Sequence, residues 1–414
     1  MKKMDKTLLQ PLKGFRDFLP EKTKIRSRVV KTLRDIFESY GYDELITPTL
    51  ERQEILLGKY GEEAEKLMYL FKDKGERKVG LKYDLTVPLA RVMANNPELP
   101  LPFKRYQIQP VWRADKPQKG RYREIYQCDI DIVGSKSPLA DAEIILIIND
   151  VLKALKFDEF EIRVNSRSVL FSLMEENAIP KEKWLKIIQS IDKLDKKDKS
   201  EVSSELRDKG LSENEVGNIF NSLEKAKPDN YLKEMMSILS KLKVDNVTFT
   251  PTLSRGLDYY TGPIFETIVK QPNIGSITGG GRYDKLLQEL GGPDLPATGT
   301  SFGLDRICDV IEENNLLDFG KTNTVVLISV LSNELENLAF EYARQLRAKD
   351  INCEVYLDGD VKISKQFKYA NAKGVEWVIV VGPEEVEKKV VTLKNMQTGE
   401  QNQITIEEVI NKIK

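Results

Sequence analysis

VWRADKPQKGRYREIYQCDIDIVG, residues 111–134, consists of two alternating runs of side chains around a polar loop. Extended upstream, Arg105, Gln107, Gln109, Val111 and Arg113 alternate with Tyr106, Ile108, Pro110 and Trp112. After the loop 114–120, Arg121, Arg123, Ile125, Gln127, Asp129 and Asp131 alternate with Tyr122, Tyr126, Cys128, Ile130 and Ile132. A two-residue period puts each set on one face of a strand, so 103–134 reads as an antiparallel hairpin. Residues 104–123 hold seven basic residues and one acid, Asp115. Cations at one end of this face and carboxylates at the other suit a zwitterion, or a nucleotide joined to one. A solvated sheet face with cross-strand ion pairs fits the same alternation. Gln127 among charged neighbours favours a site.

Around the hairpin, 21–41 has helical spacing (Ile25, Val29, Leu33, Ile36, Phe37, Tyr40) and ends at Gly41. DELITP, ended by Pro48, predicts a short strand. In KYDLTVPLAR (82–91), Asp84 and Thr86 share one face of an expected strand end, where an acid and a hydroxyl could hold an ammonium group. Residues 166–240 are rich in Lys, Glu, Ser and Asp and read as a helical insertion. RGLDYYTGPIFE (255–266) would point Tyr259 and Tyr260 to opposite faces if it is a strand. TGGGRYDKL (278–286) lacks a P-loop ending, so its glycines are read as close backbone approach, with Asp284 starting a helix. GTSFGLDRI (299–307) reads as a strand feeding a helix with Arg306 in its first turn. There an anion would offset a misplaced cation, and so would Asp305. From 322 the alternation of VVLISV, CEVYLD and WVIVVG with helical stretches 333–349 and 362–373 predicts a small α/β domain with a largely parallel sheet.

The bulk numbers remove whole classes of chemistry. The 414 residues carry 64 basic and 65 acidic side chains and no histidine. Histidine-based triads and histidine-bound zinc are excluded. What remains is Arg, Lys, Tyr, carboxylates and bound Mg²⁺, a set suited to reactions at phosphorus, which depend on positioning and charge stabilisation. With a net charge of -1, a nucleic-acid partner needs a local patch. Cys128, Cys308 and Cys353 are isolated, so no structural metal site is expected. Unpaired cysteines and a Lys-rich start without an apolar core argue for the cytoplasm. No apolar run reaches the ~20 residues of a membrane span.

The order of these segments resembles the histidyl-tRNA synthetases, a class II aminoacyl-tRNA synthetase family, over nearly the whole chain. KGFRDFLPEKT, ITPTLE, YDLTVPLAR, the hairpin, RGLDYYTGPIFE, GGGRYDKLL and GTSFGLDRI carry the likeness. The RGLDYY stretch is specific to this family; the hairpin and the GLDR helix belong to class II synthetases generally. The resemblance implies an α+β catalytic core with an antiparallel sheet (1–165 and 241–320), a helical insertion domain (166–240) and a C-terminal α/β anticodon-binding domain (322–414). It implies ATP-dependent ligation of L-histidine to tRNA(His) through a histidyl-adenylate. Asp84, Thr86 and Gln127 would hold the substrate's α-amino group. Asp131 and Tyr260 would read the imidazole nitrogens, with Tyr259 lining the pocket. Arg113 would contact the substrate carboxylate and the α-phosphate, and Arg255 would stabilise charge developing there. Asp115, Arg121, Ile125 and Arg306 would complete the ATP site, and Gln118 would meet the tRNA acceptor end. The family usually has an aromatic at the position of Ile125 and a longer acid at Asp115, so adenine contacts differ here. A homodimer is implied by the segment near Pro48. Two other readings share the fold: the regulatory subunit of ATP phosphoribosyltransferase and a non-catalytic tRNA sensor.

Overall fold

The computed structural model describes residues 6–58, 65–117, 122–254, 259–359 and 361–414. It divides into two compact units, one of residues 1–17 and 29–317 and one of 18–28 and 318–414.

In chain order the strands of the first unit are β1 (Asp43–Glu44), β2 (Leu50–Arg52), β3 (Leu70–Lys72), β4 (Lys78–Leu81), β5 (Phe103–Trp112), β6 (Glu124–Val133), β7 (Phe160–Ser166), β8 (Val247–Phe249), β9 (Pro263–Val269), β10 (Thr278–Arg282) and β11 (Ala297–Gly303). Eight of them form one sheet in the order β1-β5-β6-β11-β10-β9-β7-β8. Its interior pairs are antiparallel, while the edge pairs β1–β5 and β7–β8 are parallel. The expected hairpin is present as β5 and β6, in a register pairing Arg105 with Asp131, Gln109 with Gln127 and Trp112 with Glu124. DELITP contributes only the two residues of β1: the Leu45 N–H still donates to Tyr106 O, but the Thr47 N–H turns to the side chain of Gln109 instead of the main chain of β5.

Alternation separates the two faces of this sheet chemically. Tyr106, Ile130 and Thr300 share one cross-strand row, and Cys128 pairs with Phe302 on the same face. Helix Pro20–Ser39 puts Phe37 against Tyr106 and Phe302, with ring centroids 5.7 and 5.4 Å apart. Helix Pro138–Ala154, capped by Ser137 with Pro138 at its start, buries four isoleucines, Val151 and Leu152. Each such side chain contributes about 1.5–3 kcal/mol of burial. The other face carries Arg105, Asp131 and Gly299 in one row and Gln107, Asp129 and Ser301 in the next.

Residues 166–240 form five α-helices, from Arg167–Glu176 to Asn230–Lys241, with two short 3₁₀ turns between them, and belong to the first unit. Asp141 and Arg282 form a buried ion pair of 2.6 Å, and Tyr231 of the last of these helices donates to the same carboxylate.

The C-terminal sheet contains β12 (Val326–Val330), β13 (Cys353–Val355), β14 (Trp377–Val381), β15 (Val391–Asn395) and β16 (Gln401–Ile404), in the order β13-β12-β14-β15-β16. Only β12, β13 and β14 are parallel; β15 and β16 add antiparallel. The expectation of a largely parallel sheet is therefore corrected. The connections after β14 and β15 are too short for a parallel crossover, and Gly399 takes a positive φ of 77° in the last turn.

Candidate active site

A cleft of about 590 Å³ opens over the polar face of the large sheet. Of the residues singled out in the sequence, Asp84, Thr86, Arg113, Asp115, Ile125, Gln127, Asp131, Tyr259, Tyr260 and Arg306 all line it. Arg255, Arg121 and Gln118 lie outside the described residues.

Two glycines shape the floor. Gly299 on β11 pairs with both Asp131 on β6 and Gly281 on β10. A Cβ on Gly299 would fall 2.0 Å from Asp131 Oδ1, and one on Gly281 would fall 2.9 Å from the ring of Tyr260. The carboxylate and the phenol thus lie over adjacent glycines. Gly280 faces the other way, where a Cβ would meet the carbonyl of Gly299 at 2.0 Å, as close backbone approach requires. Asp284 starts no helix; the next begins at Leu286, because Asp284 is engaged with Arg282 at 3.2 Å and its N–H donates to Thr261.

Tyr259 and Tyr260 do not diverge. Tyr259 sits in a turn and Tyr260 in irregular chain before β9 begins at Pro263, and their rings sit 4.7 Å apart, with Tyr283 edge-on to Tyr259 at 5.9 Å. Tyr283 donates its hydroxyl to Asp131 Oδ1. Asp84 and Thr86 likewise belong to a helix start rather than a strand end. Helix Thr86–Asn95 begins there, and Asp84 Oδ1 accepts from the Val87 N–H at 3.0 Å, meeting one of the amides a helix start leaves unpaired. Gln127 donates to Ser301 Oγ at 3.1 Å, and its buried Oε1 has no hydrogen-bond partner among the described residues.

At the other end, the Arg113 N–H donates to the Arg123 carbonyl just beyond the hairpin ladder. Arg113 Nε donates to Tyr83 O at 3.2 Å, with the guanidinium 4.7 Å over the Tyr83 ring. Arg123 turns away to the carbonyls of Asp115 and Lys13. Arg306 donates to Ser276 O at 2.6 Å, and its neighbour Asp305 pairs with Arg16 at 2.9 Å. Arg16 also stacks 3.2 Å over Tyr122, which lines the cleft. Tyr83, Tyr122, Tyr283, Ser301 and Arg16 were not singled out from the sequence. The KGFRDF segment and the return-strand tyrosine were the available signals.

The histidyl-tRNA synthetase family profile matches residues 14–307, and an anticodon-binding domain profile matches 324–414. The chain belongs to the histidyl-tRNA synthetase family. It is 42% identical to a histidine--tRNA ligase of Korarchaeum cryptofilum, covering 92% of this chain and 93% of that one. It is 41% identical to that of Aeropyrum pernix, covering 98% and 97%. Its fold matches the crystal structure of histidyl-tRNA synthetase from Nostoc sp. PCC 7120 with a TM-score of 0.87 at 27% identity, over 99% of both chains. These findings make it an enzyme of the synthetase class, with the mixed-sheet core and C-terminal anticodon-binding domain of its relatives.

The floor of this synthetase's cleft is electrostatically loaded. Burial pushes the Asp131 carboxyl up, while the Arg105 guanidinium and the Tyr283 hydroxyl pull it down. Burial pushes Tyr283 well above the ordinary phenol range, and the nearby Asp131 adds to this. Asp129 is pushed up to about 7, chiefly by burial and against the pull of Arg105. Its unfolded value is about 3.9, so the folded chain holds this proton more tightly. Stability from this group therefore falls as pH rises between about 4 and 7 and is level above. Asp129→Asn is expected to stabilise the fold by about 2–3 kcal/mol more at pH 8 than at pH 5. Thermal melts at the two pH values check this; an equal change at both would refute the assignment.

Among the described residues no helix is long and apolar enough to cross a membrane, and no group of three acidic or cysteine side chains could hold a metal ion.

Proposed function

We propose that, in the cytoplasm, this synthetase joins L-histidine to tRNA(His) in two steps through a histidyl-adenylate. In the first, an oxygen of the histidine carboxylate attacks the α-phosphorus of ATP. The bond from that phosphorus to the β-phosphate oxygen breaks, and diphosphate leaves. In the second, a ribose hydroxyl at the tRNA acceptor end attacks the acyl carbon and AMP leaves. The carboxylate is already ionised at neutral pH, so the first step needs no base, in keeping with a chain that has no histidine.

The observation that carries this reading is the pairing of Asp131 and Tyr260 over Gly299 and Gly281, in one cleft with Gln127 and Arg113. A carboxylate and a phenol side by side match the two nitrogens of an imidazole, one as acceptor and one as donor. Polar groups left unpaired by an apolar analogue reject it by roughly 10⁴–10⁵-fold, so no editing domain is needed. Gln127 Oε1 and Asp84 are acceptors for the α-ammonium group, with Thr86 beside them. Arg113 is assigned to the substrate carboxylate and the α-phosphate, and Arg306 to the far phosphates. Asp115, Ile125 and Arg121 are assigned to the nucleotide. Tyr122 supplies an aromatic surface near Ile125. Mg²⁺ would be carried on the triphosphate, since the described residues provide no metal cluster of their own. We assign Gln118 to the tRNA acceptor end, the insertion 166–240 to the acceptor arm, and the segment near Pro48 to a homodimer.

Histidine-dependent exchange of pyrophosphate into ATP tests the reading. Activity supports it, whereas inactivity in folded protein would favour a binding role such as that of the ATP phosphoribosyltransferase regulatory subunit. Arg255→Ala is expected to abolish exchange while L-histidine still binds. Near-normal exchange in that variant would remove Arg255 from catalysis.

A further inference from the structure

The strand face Arg105, Gln107, Gln109 has no part in the chemistry described so far, yet it is polar, buried at Arg105 and Gln107 and half-buried at Gln109. Arg105 has no solvent exposure and sits opposite Asp131 in the β5–β6 register. Its Nη2 lies 2.7 Å from Asp131 Oδ2. Oδ2 is buried against that guanidinium and has no other polar partner among the described residues. Oδ1 is taken by Tyr283. The carboxylate is thus held by a cation at one oxygen and by a phenol at the other.

The guanidinium is itself fixed from behind. Its Nη1 donates to Gln107 Oε1 at 3.3 Å, and its Nη2 to Leu85 O at 3.4 Å. Gln107 Nε2 donates to Thr47 Oγ1 at 2.7 Å and to Gln109 Oε1 at 2.6 Å. The same Gln109 oxygen accepts from the buried Lys82 ammonium at 2.6 Å. A file of linked polar side chains therefore runs from Lys82 through Gln109, Gln107 and Arg105 to Asp131.

We infer that Arg105 is a positioning residue for substrate selection, which holds Asp131 ionised and in place so that its carboxylate accepts a hydrogen bond from an imidazole N–H. This rests on the reading of Asp131 as an imidazole contact. The physical need is clear: a buried carboxylate without a cation takes up a proton, and a protonated carboxyl no longer offers the same acceptor. The other ionisable groups that interact with Asp131 are Asp129 on the same strand, Asp84 before helix Thr86–Asn95, Tyr42 and Tyr283. Asp84 disfavours its ionisation, Asp131 in turn disfavours that of Asp129, and Arg105 is the cation among them.

The test is calorimetric titration of the full chain with L-histidine and, separately, with ATP. Arg105→Met is expected to weaken L-histidine binding at least tenfold and to leave ATP within twofold. The weakening relative to wild type, measured at each pH, is expected to shrink as pH rises and Asp131 ionises without help. Arg105→Lys, which keeps the charge, is expected to recover most of the loss. Loss of histidine and ATP affinity together would mark a merely structural role and overturn the assignment, as would wild-type histidine affinity in folded Arg105→Met. A wild-type chain that binds no L-histidine would instead remove the functional reading and this assignment with it. Should Arg105→Met not fold, a ¹³C-carboxyl titration of the wild-type chain decides, with Asp131→Asn identifying the signal. An ionised Asp131 at pH 7 supports the role, and a protonated one overturns it.

Discussion

Arg113→Ala is expected to slow histidine-dependent pyrophosphate exchange by roughly 10²–10³-fold, the usual cost of losing one preorganised donor to a developing charge. Its guanidinium is held before substrate arrives. The main chain is tied to Arg123 O at 2.8 Å, Nε to Tyr83 O, and the plane lies over the Tyr83 ring. The side-chain bond uses only Nε, and the residue lines the cleft. Negative charge gathers on the α-phosphate as the carboxylate attacks, and a group already oriented stabilises it without reorganisation. Arg113→Lys is expected to recover little, because an ammonium cannot offer two parallel N–H groups. Exchange rates for both variants, with thermal melts to verify folding, check this. A loss under fivefold in Arg113→Ala would remove the assigned role.

The second large effect is expected from a single methyl group. Gly299→Ala would set its Cβ 2.0 Å from Asp131 Oδ1 and 2.5 Å from Ile130 O. The backbone oxygen cannot move without breaking the β6–β11 ladder, so the Asp131 carboxylate is the atom group that shifts. Misplacement by about 1 Å can cost ~10²-fold in rate. The expected result is a fall of about that size in kcat/KM for L-histidine, a much smaller change in KM for ATP, and about 1–3 kcal/mol of overpacking cost in stability. Gly217→Ala is the control. It lies exposed in helix Glu213–Lys225, where an added Cβ meets nothing within 4 Å, and the change is expected to stabilise the helix by up to ~1 kcal/mol. Equal kinetics in the Gly299 and Gly217 variants would refute the account of the cleft floor.

Both predictions depend on contacts that differ in how legible they were. The β5–β6 hairpin and the side of the sheet on which Gln127 and Asp131 lie follow from a two-residue period. So does the placement of Arg105 on the same face, although nothing local said that its charge would be spent on Asp131. Asp84 and Thr86 were expected at a strand end because KYDLTV carries no strong helix-start signature. The helix begins there because Asp84 accepts the Val87 N–H. The tyrosine pair was expected to diverge because strand alternation was assumed, and the turn that brings the rings together breaks that assumption.

The residue order therefore specified the hairpin, the motifs and the family to which the chain belongs, because alternation and capping act between residues a few positions apart. The partner of each buried charge was settled in the folded chain alone. Asp131 meets Tyr283 across 152 residues, and Asp141 meets Arg282 across 141. Such pairs form where sheet register and dense packing bring distant segments to one place, and a low-dielectric interior then makes their charge compensation compulsory.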